Sequence, residues 1–168
     1  VFSFHPVKII TTAEGGLATT NQTELAEKMN LFRSHGVTRD PKLMNQVSDG
    51  DWYYQQVELG LNYRMTELQA ALGVSQMKRL DEYVSKRHKL RARYDELLKN
   101  LPVILPYQNR DCYSALHLYP IQLQLDQISM SREQVFSMLR EEGVGVNVHY
   151  IPVHTQPFYQ EMEQGYGS

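Results

Sequence analysis

The sequence has 168 residues, 42% of them hydrophobic and 21% charged, with a formal net charge of −2. That length can bury a sizeable core without a disulfide or metal staple, and the composition excludes disordered, collagen-like and low-complexity chains. The near-neutral charge offers no nucleic-acid or acidic-membrane surface, no apolar run reaches the roughly 20 residues of a membrane span, and the one cysteine, Cys112, leans towards a reducing, cytoplasmic compartment.

Residues 1–4 read as strand, because Val1, Phe2 and Phe4 suit a pleated surface. A chain that opens on Val1 inside such a segment sets the expectation of a piece of something longer. Residues 9–12 are β-branched throughout and read as extended, Glu14-Gly15-Gly16 is a turn signal, and 17–20 can return as a strand. Asn21 with Glu24 resembles a capping box, and Leu25, Met29 and Phe32 recur at helical spacing before a stop at Gly36. Residues 38–50 are polar and without period, a long surface loop ending on Trp52-Tyr53-Tyr54.

Residues 60–64 form a connector. Thr66 with Gln69 is a second capping box, opening a helical stretch to about residue 100 with a break expected near Leu80-Asp81. Its run Lys86, Arg87, His88, Lys89, Arg91 and Arg93 reads as a solvated helix face. Residues 103–105 are a short strand after Pro102, and 117–125 alternate as a strand whose Pro120 suggests an edge. Ser131 with Gln134 caps another helix that stops at Gly143, and Val144, Val146 and Val148 alternate as a last strand. The second half is thus an α+β layer, with the domain boundary at 64–66.

Four constellations could carry chemistry. Lys8 follows a strand, with Ser3 five residues back and His5 three back. A lysine so placed can be a Schiff-base nucleophile, once low dielectric or neighbouring cations leave it unprotonated, or a plain surface charge. The glycine pair after it could cradle a phosphate, but no Lys-Ser/Thr follows, so it is no P-loop and a plain turn serves as well. Asn62 and Arg64 sit just before a helix start, where amide and guanidinium donors suit an anion, or simply a capped connector. His149 and His154, with His117, admit a metal reading, but no Cys or carboxylate stands at ligand spacing, so hydrogen-bonding or substrate-contact roles lead. The Trp52–Tyr54 cluster is aromatic packing or a partner contact.

Taken together these segments resemble the nucleotide-sugar aminotransferases of the DegT/DnrJ/StrS family. The carriers are Ser-Phe-His-Pro-Val-Lys-Ile-Ile-Thr-Thr-Ala-Glu-Gly-Gly from Ser3 to Gly16, Leu-Phe-Arg-Ser-His-Gly from Leu31 to Gly36, and Gly-Leu-Asn-Tyr-Arg-Met-Thr-Glu-Leu-Gln-Ala-Ala-Leu-Gly from Gly60 to Gly73. His117-Leu118-Tyr119-Pro120 and Val148-His149-Tyr150-Ile151-Pro152-Val153-His154 follow in order. The resemblance covers essentially the whole chain.

It implies an α/β fold: 1–65 as the C-terminal segment of the large domain of a fold-type-I pyridoxal-phosphate enzyme, and 66–168 as an α+β small domain incomplete at its end. It implies Lys8 as the lysine that carries the cofactor and then shuttles a proton. Ser3 would bind the cofactor phosphate, and Asn62 would reach it from the partner subunit of a homodimer with a shared site. Arg64 would reach a substrate diphosphate, and Val148, His149, Tyr150 and Ile151 would line the sugar-nucleotide pocket. The substrates implied are glutamate and a UDP-linked 4-keto-6-deoxy-N-acetylhexosamine, ahead of a dTDP-linked one, for surface glycan synthesis; no metal is implied. The family places the pyridinium-pairing carboxylate, the ring-stacking aromatic and a phosphate-binding helix N-terminus before Ser3, and a final helix after Ser168. Two other readings stand beside this one. One is a related dehydratase, which would have histidine in place of Lys8. The other is a non-catalytic binding or dimerising fragment.

Overall fold

The computed structural model describes residues 1–166, and the side chains of 1–162. The chain forms two compact units, residues 1–86 and 87–168.

In the first unit, β1 (Phe2–Ser3) pairs antiparallel with β2 (Gly16–Leu17), Phe2 opposite Leu17. The β-branched residues 9–12 are not a strand. Their polar atoms close a loop instead: the Thr12 amide and the Thr11 hydroxyl both donate to the Phe4 carbonyl, at 3.0 and 2.8 Å. Short hydroxyl side chains offer the backbone such local partners in place of a ladder. Helix α1 (Thr23–Phe32) starts one residue later than the Asn21–Glu24 box predicts. Gln22 is the N-cap and makes no side-chain capping bond; the Thr20 hydroxyl accepts from its amide at 3.0 Å. The helix ends four residues before Gly36, whose φ of 69° and amide bond to the Leu31 carbonyl turn the chain back.

β3 (Val37–Thr38) and β4 (Gln55–Gln56) form an antiparallel pair that no hydrophobic pattern announces. The intervening loop is ordered by its own side chains: Gln55 accepts from the Asn45 amide at 2.7 Å and donates to the Tyr53 hydroxyl at 3.2 Å. Helix α2 (Glu67–Met77) carries the predicted box in full, with Thr66 and Gln69 capping each other. The break then falls before Leu80, where α3 (Leu80–Leu98) begins.

In the second unit Arg87, His88 and Arg91 of the basic run on α3 are half-buried, while Lys89 and Arg93, like Lys86 before them, are exposed as a solvated face would be. Arg87 donates to the Leu116 and His117 carbonyls at 3.0 and 3.3 Å. His88 bonds the Ser114 carbonyl at 2.9 Å and stacks on Tyr113 at 4.4 Å. Arg91 pairs with Asp95, which accepts from the Tyr119 hydroxyl at 2.6 Å. Three helix side chains thus hold an extended strap that carries too few backbone bonds of its own. The long strand read over 117–125 therefore shrinks to β6 (Gln122–Leu123), paired antiparallel with β5 (Val103–Ile104). Helix α4 (Arg132–Glu141) has the Ser131–Gln134 box as read. The alternating valines after it form no strand: Val144 and Val146 donate to Leu139 and Val144 carbonyls in tight turns. A 3₁₀ turn (Val153–Thr155) and α5 (Pro157–Tyr166), which the sequence reading did not anticipate, complete the described residues.

The buried core is thin. Val84 is the one apolar side chain among the described residues classed as buried, with Thr12 and Thr38 beside it in that class. The chain exposes 14227 Å². Two separate globules, each half of its 19.5 kDa, would expose about 10,000 Å² together. The surplus, roughly 4,000 Å², is of the size that obligate interfaces cover. Leu59 and Leu68 in the first unit and Tyr107 in the second are each more than four-fifths exposed.

Candidate functional site

Lys8 sits at the far arc of a loop whose ends are tied together. The Phe4 amide donates to the Gly15 carbonyl at 3.0 Å, and Phe4 also accepts the two threonine bonds described above. The Lys8 amide donates to the His5 carbonyl at 2.9 Å, making the turn that presents the side chain. Pro6 and Val7 occupy that turn. Ser3 is exposed on β1, and its hydroxyl lies 3.5 Å from the His5 amide, so it belongs to the same loop as Lys8. His5 reaches back to Glu14 at 3.9 Å, an ion pair only when the imidazole is protonated. Ala13 has a φ of 67° and Gly15 one of 145°. A Cβ on Gly15 would stand 2.6 Å from the Thr12 hydroxyl, so this turn closes only with glycine there.

The loop rests on α2. Gln76 accepts from the Thr11 amide at 2.8 Å, and Gln69 donates to the Glu14 carbonyl at 3.1 Å. Neither glutamine was singled out in the sequence for this role. Their seven-residue spacing, with Gly73 between them, was the available signal, since it places all three on one helical face.

Asn62 and Arg64 lie on the segment that leads into α2, both exposed. Asn62 is placed by the end of α1: it pairs with Ser34 in a single antiparallel bridge. Around it the Leu61 amide donates to Phe32 at 2.7 Å, His35 to Leu61 at 2.9 Å, and Tyr63 to Arg33 at 3.0 Å. His35 takes a φ of 64° to make this fit. Ser3 and Lys8 are therefore gathered on one loop, and Asn62 and Arg64 on a second, rigidly braced segment of the same unit.

In the second unit Val148, His149, Tyr150 and Ile151 are all exposed. The His149 and Tyr150 ring centroids lie 4.0 Å apart, the rings tilted by 47°, across a cis peptide. His154 stands in the 3₁₀ turn. Among the described residues no three His, Cys, Asp or Glu side chains gather as a metal site. No helix among them is long and apolar enough to cross a membrane.

A match to the DegT/DnrJ/EryC1/StrS aminotransferase family runs over residues 1–167. The chain belongs to this family. A UDP-4-amino-4,6-dideoxy-N-acetyl-beta-L-altrosamine transaminase of Campylobacter jejuni is 38% identical over 163 residues, covering 96% of this chain and 41% of that protein. The solved structure of Helicobacter pylori PseC, an aminotransferase in pseudaminic acid biosynthesis, superposes with a TM-score of 0.83 at 33% identity, covering 99% of this chain and 42% of that one. The PLP form of a sugar aminotransferase, Spr1654 from Streptococcus pneumoniae, gives 0.77 at 25% identity, with coverages of 99% and 42%. The chain thus spans about two fifths of the length of these relatives, and its fold is that of part of a fold-type-I pyridoxal-phosphate transferase.

Proposed function

We propose that this chain forms part of a pyridoxal-phosphate-dependent aminotransferase. It would move an amino group from glutamate to C4 of a UDP-linked 4-keto-6-deoxy sugar, for pseudaminic acid or a related surface glycan. The enzyme would work in the cytoplasm as a homodimer with a shared active site. In this reading residues 1–65 close the large domain and 66–168 belong to the small domain. The observation that carries it is the tied loop: a family-matched lysine on its arc, with a serine hydroxyl on the same loop.

The loop fits the cofactor by its donor chemistry. Lys8 brings a primary amine for an aldehyde, and Ser3 brings an exposed hydroxyl for a phosphate. A phosphate dianion takes several fixed donors. When bound, pyridoxal phosphate supplies the electron sink for amino transfer. The residues of this chain would supply part of what holds it. Lys8 would hold the cofactor through Nζ and, as a free amine, would take up and return the proton that moves during transfer. Ser3 Oγ would donate to the phosphate. Asn62 Nδ2 donates to it in the second subunit's site, braced by Ser34. Arg64 carries the charge for a diphosphate, and Val148 to Ile151 present apolar and aromatic surface to the nucleotide sugar. The surplus exposed area of the chain supports a subunit interface and a larger domain around it.

The test is amino transfer by the full-length protein across UDP- and dTDP-linked 4-keto sugars with glutamate, with products read by mass and NMR. A C4 amine on a UDP sugar is expected. A deoxygenated, nitrogen-free product would refute the reading in favour of dehydration.

A further inference from the structure

Helix α2 carries two side chains whose polar ends serve neither its core face nor solvent. Gln76 lies in the last turn of the helix, where its carbonyl accepts from the Lys78 amide but its side chain caps nothing. Its Oε1 stands 2.8 Å from the Thr11 amide, three residues after Lys8. That amide is half-buried, and without an acceptor it would be left unsatisfied. Gln69 divides its amide group: Oε1 accepts from the Thr66 amide at 3.0 Å and caps the helix, while Nε2 donates to the Glu14 carbonyl at 3.1 Å. Between them stands Gly73, where a Cβ would come within 2.8 Å of the Thr12 methyl, and Thr12 is only 2% exposed. A glycine inside a helix costs up to about 1 kcal/mol against alanine. Here it allows the loop to lie directly on the helix backbone.

We propose that α2 is the positioning element of the reactive lysine. Gln69 and Gln76 grip the Lys8 loop on its returning side, at Glu14 and at Thr11, and Gly73 sets how closely that loop approaches. The inference rests on the assignment of Lys8 made above. Without the two glutamines the loop keeps its closing bonds to Phe4 but loses its reference to the helix. The Lys8 amine then samples a wider range of positions, and a misplacement near 1 Å costs about a hundredfold in rate.

The roles of the two amides differ, and this gives the test. Gln76 only accepts, so Gln76→Glu keeps its bond and Gln76→Met loses it. Gln69 must donate, so Gln69→Glu keeps the helix cap but loses the bond to Glu14. The full-length protein is measured in two ways. One is hydrogen exchange at the Thr11 amide without cofactor. The other is the rate at which added pyridoxal phosphate becomes fixed to Lys8 by borohydride, read as peptide mass.

In Gln76→Met the Thr11 amide is expected to exchange about tenfold faster, as for one lost hydrogen bond. Fixation in Gln76→Met and Gln69→Glu is expected to fall about tenfold or more, while Gln76→Glu stays near wild type. Wild-type behaviour in all three variants would overturn the proposal. So would a Gln76→Glu protein as slow as Gln76→Met, since the acceptor would then not be what matters. Lys8→Ala, assayed for amino transfer in parallel, tests the lysine assignment separately; the Thr11 exchange tests the grip with no cofactor present.

Discussion

Gly60→Ala should unfold the brace that places Asn62, and the magnitude follows from the backbone. A Cβ at Gly60 would stand 2.1 Å from the Gly36 nitrogen, 2.5 Å from the His35 carbonyl carbon and 2.8 Å from the Phe32 oxygen. All three are backbone atoms, so no rotamer change relieves the contact. Ordinary van der Waals separation requires a shift beyond 1 Å, which breaks the 2.7 Å bond from Leu61 to Phe32 or the 2.9 Å bond from His35 to Leu61. Overpacking costs about 1–3 kcal/mol and a lost hydrogen bond about 1 kcal/mol more, so we expect about 3 kcal/mol. Gly145→Ala is the control, because nothing lies within 4 Å of its Cβ position; its effect should stay within about 0.5 kcal/mol. Urea unfolding of the full-length protein, followed by circular dichroism, compares the two. The cofactor dissociation constant, measured on the folded fraction, should rise in Gly60→Ala alone. Equal urea midpoints for the two variants would refute the reasoning.

Other expectations follow from the second unit and from the surface. The Tyr119 phenol is pushed up to about 12 by partial burial and then by its bond to Asp95. Its contribution to stability is therefore full below pH about 10 and lost as the pH rises through about 12. Thermal melts of Tyr119→Phe should show a flatter dependence than wild type across that window. Arg87→Met removes two bonds to the Leu116 and His117 carbonyls and should cost about 2 kcal/mol, with faster hydrogen exchange confined to 113–119. The 168-residue chain expressed by itself should bind a hydrophobic dye such as ANS, because its exposed area exceeds that of two compact globules by roughly 4,000 Å². A dye-silent, sharply melting chain would contradict this.

The sequence made the helix starts at Thr66 and Ser131 legible because both ends of a capping box are local: hydroxyl, three-residue spacing, amide. The break before Leu80 was legible from the length of the helical stretch, and the turn at Gly143 from a glycine that takes a φ of 78°. Short strands beside turn signals were legible too, since residues 1–4 and 103–105 hold β1 and β5; the alternating segments misled, because alternation describes two environments and names no partner. Residues 117–125 and 144–148 alternate well, yet one is strapped by α3 side chains and the other curls in turns. The polar β4 pairs without any hydrophobic signal. Residues 9–12 show β-branching overridden by two threonine hydroxyls. Arg87, His88 and Arg91 look like solvated charge until their carbonyl, ring and Asp95 partners, 4 to 30 residues away, are in place. The roles proposed for Lys8, Ser3 and Asn62 come from the family pattern and from no local spacing. Gln69 and Gln76 were not legible, since what they hold is 55 and 65 residues away.

The proposed function stands on Lys8 as the residue that carries the cofactor. The most direct measurement is reduction of the pyridoxal-phosphate-loaded full-length protein with borohydride, followed by digestion and peptide mass analysis. A pyridoxyl-phosphate adduct is expected on the peptide containing Lys8, at Lys8 Nζ, and none there in Lys8→Ala. An adduct at another lysine, with Lys8 unmodified and amino transfer intact, would contradict it.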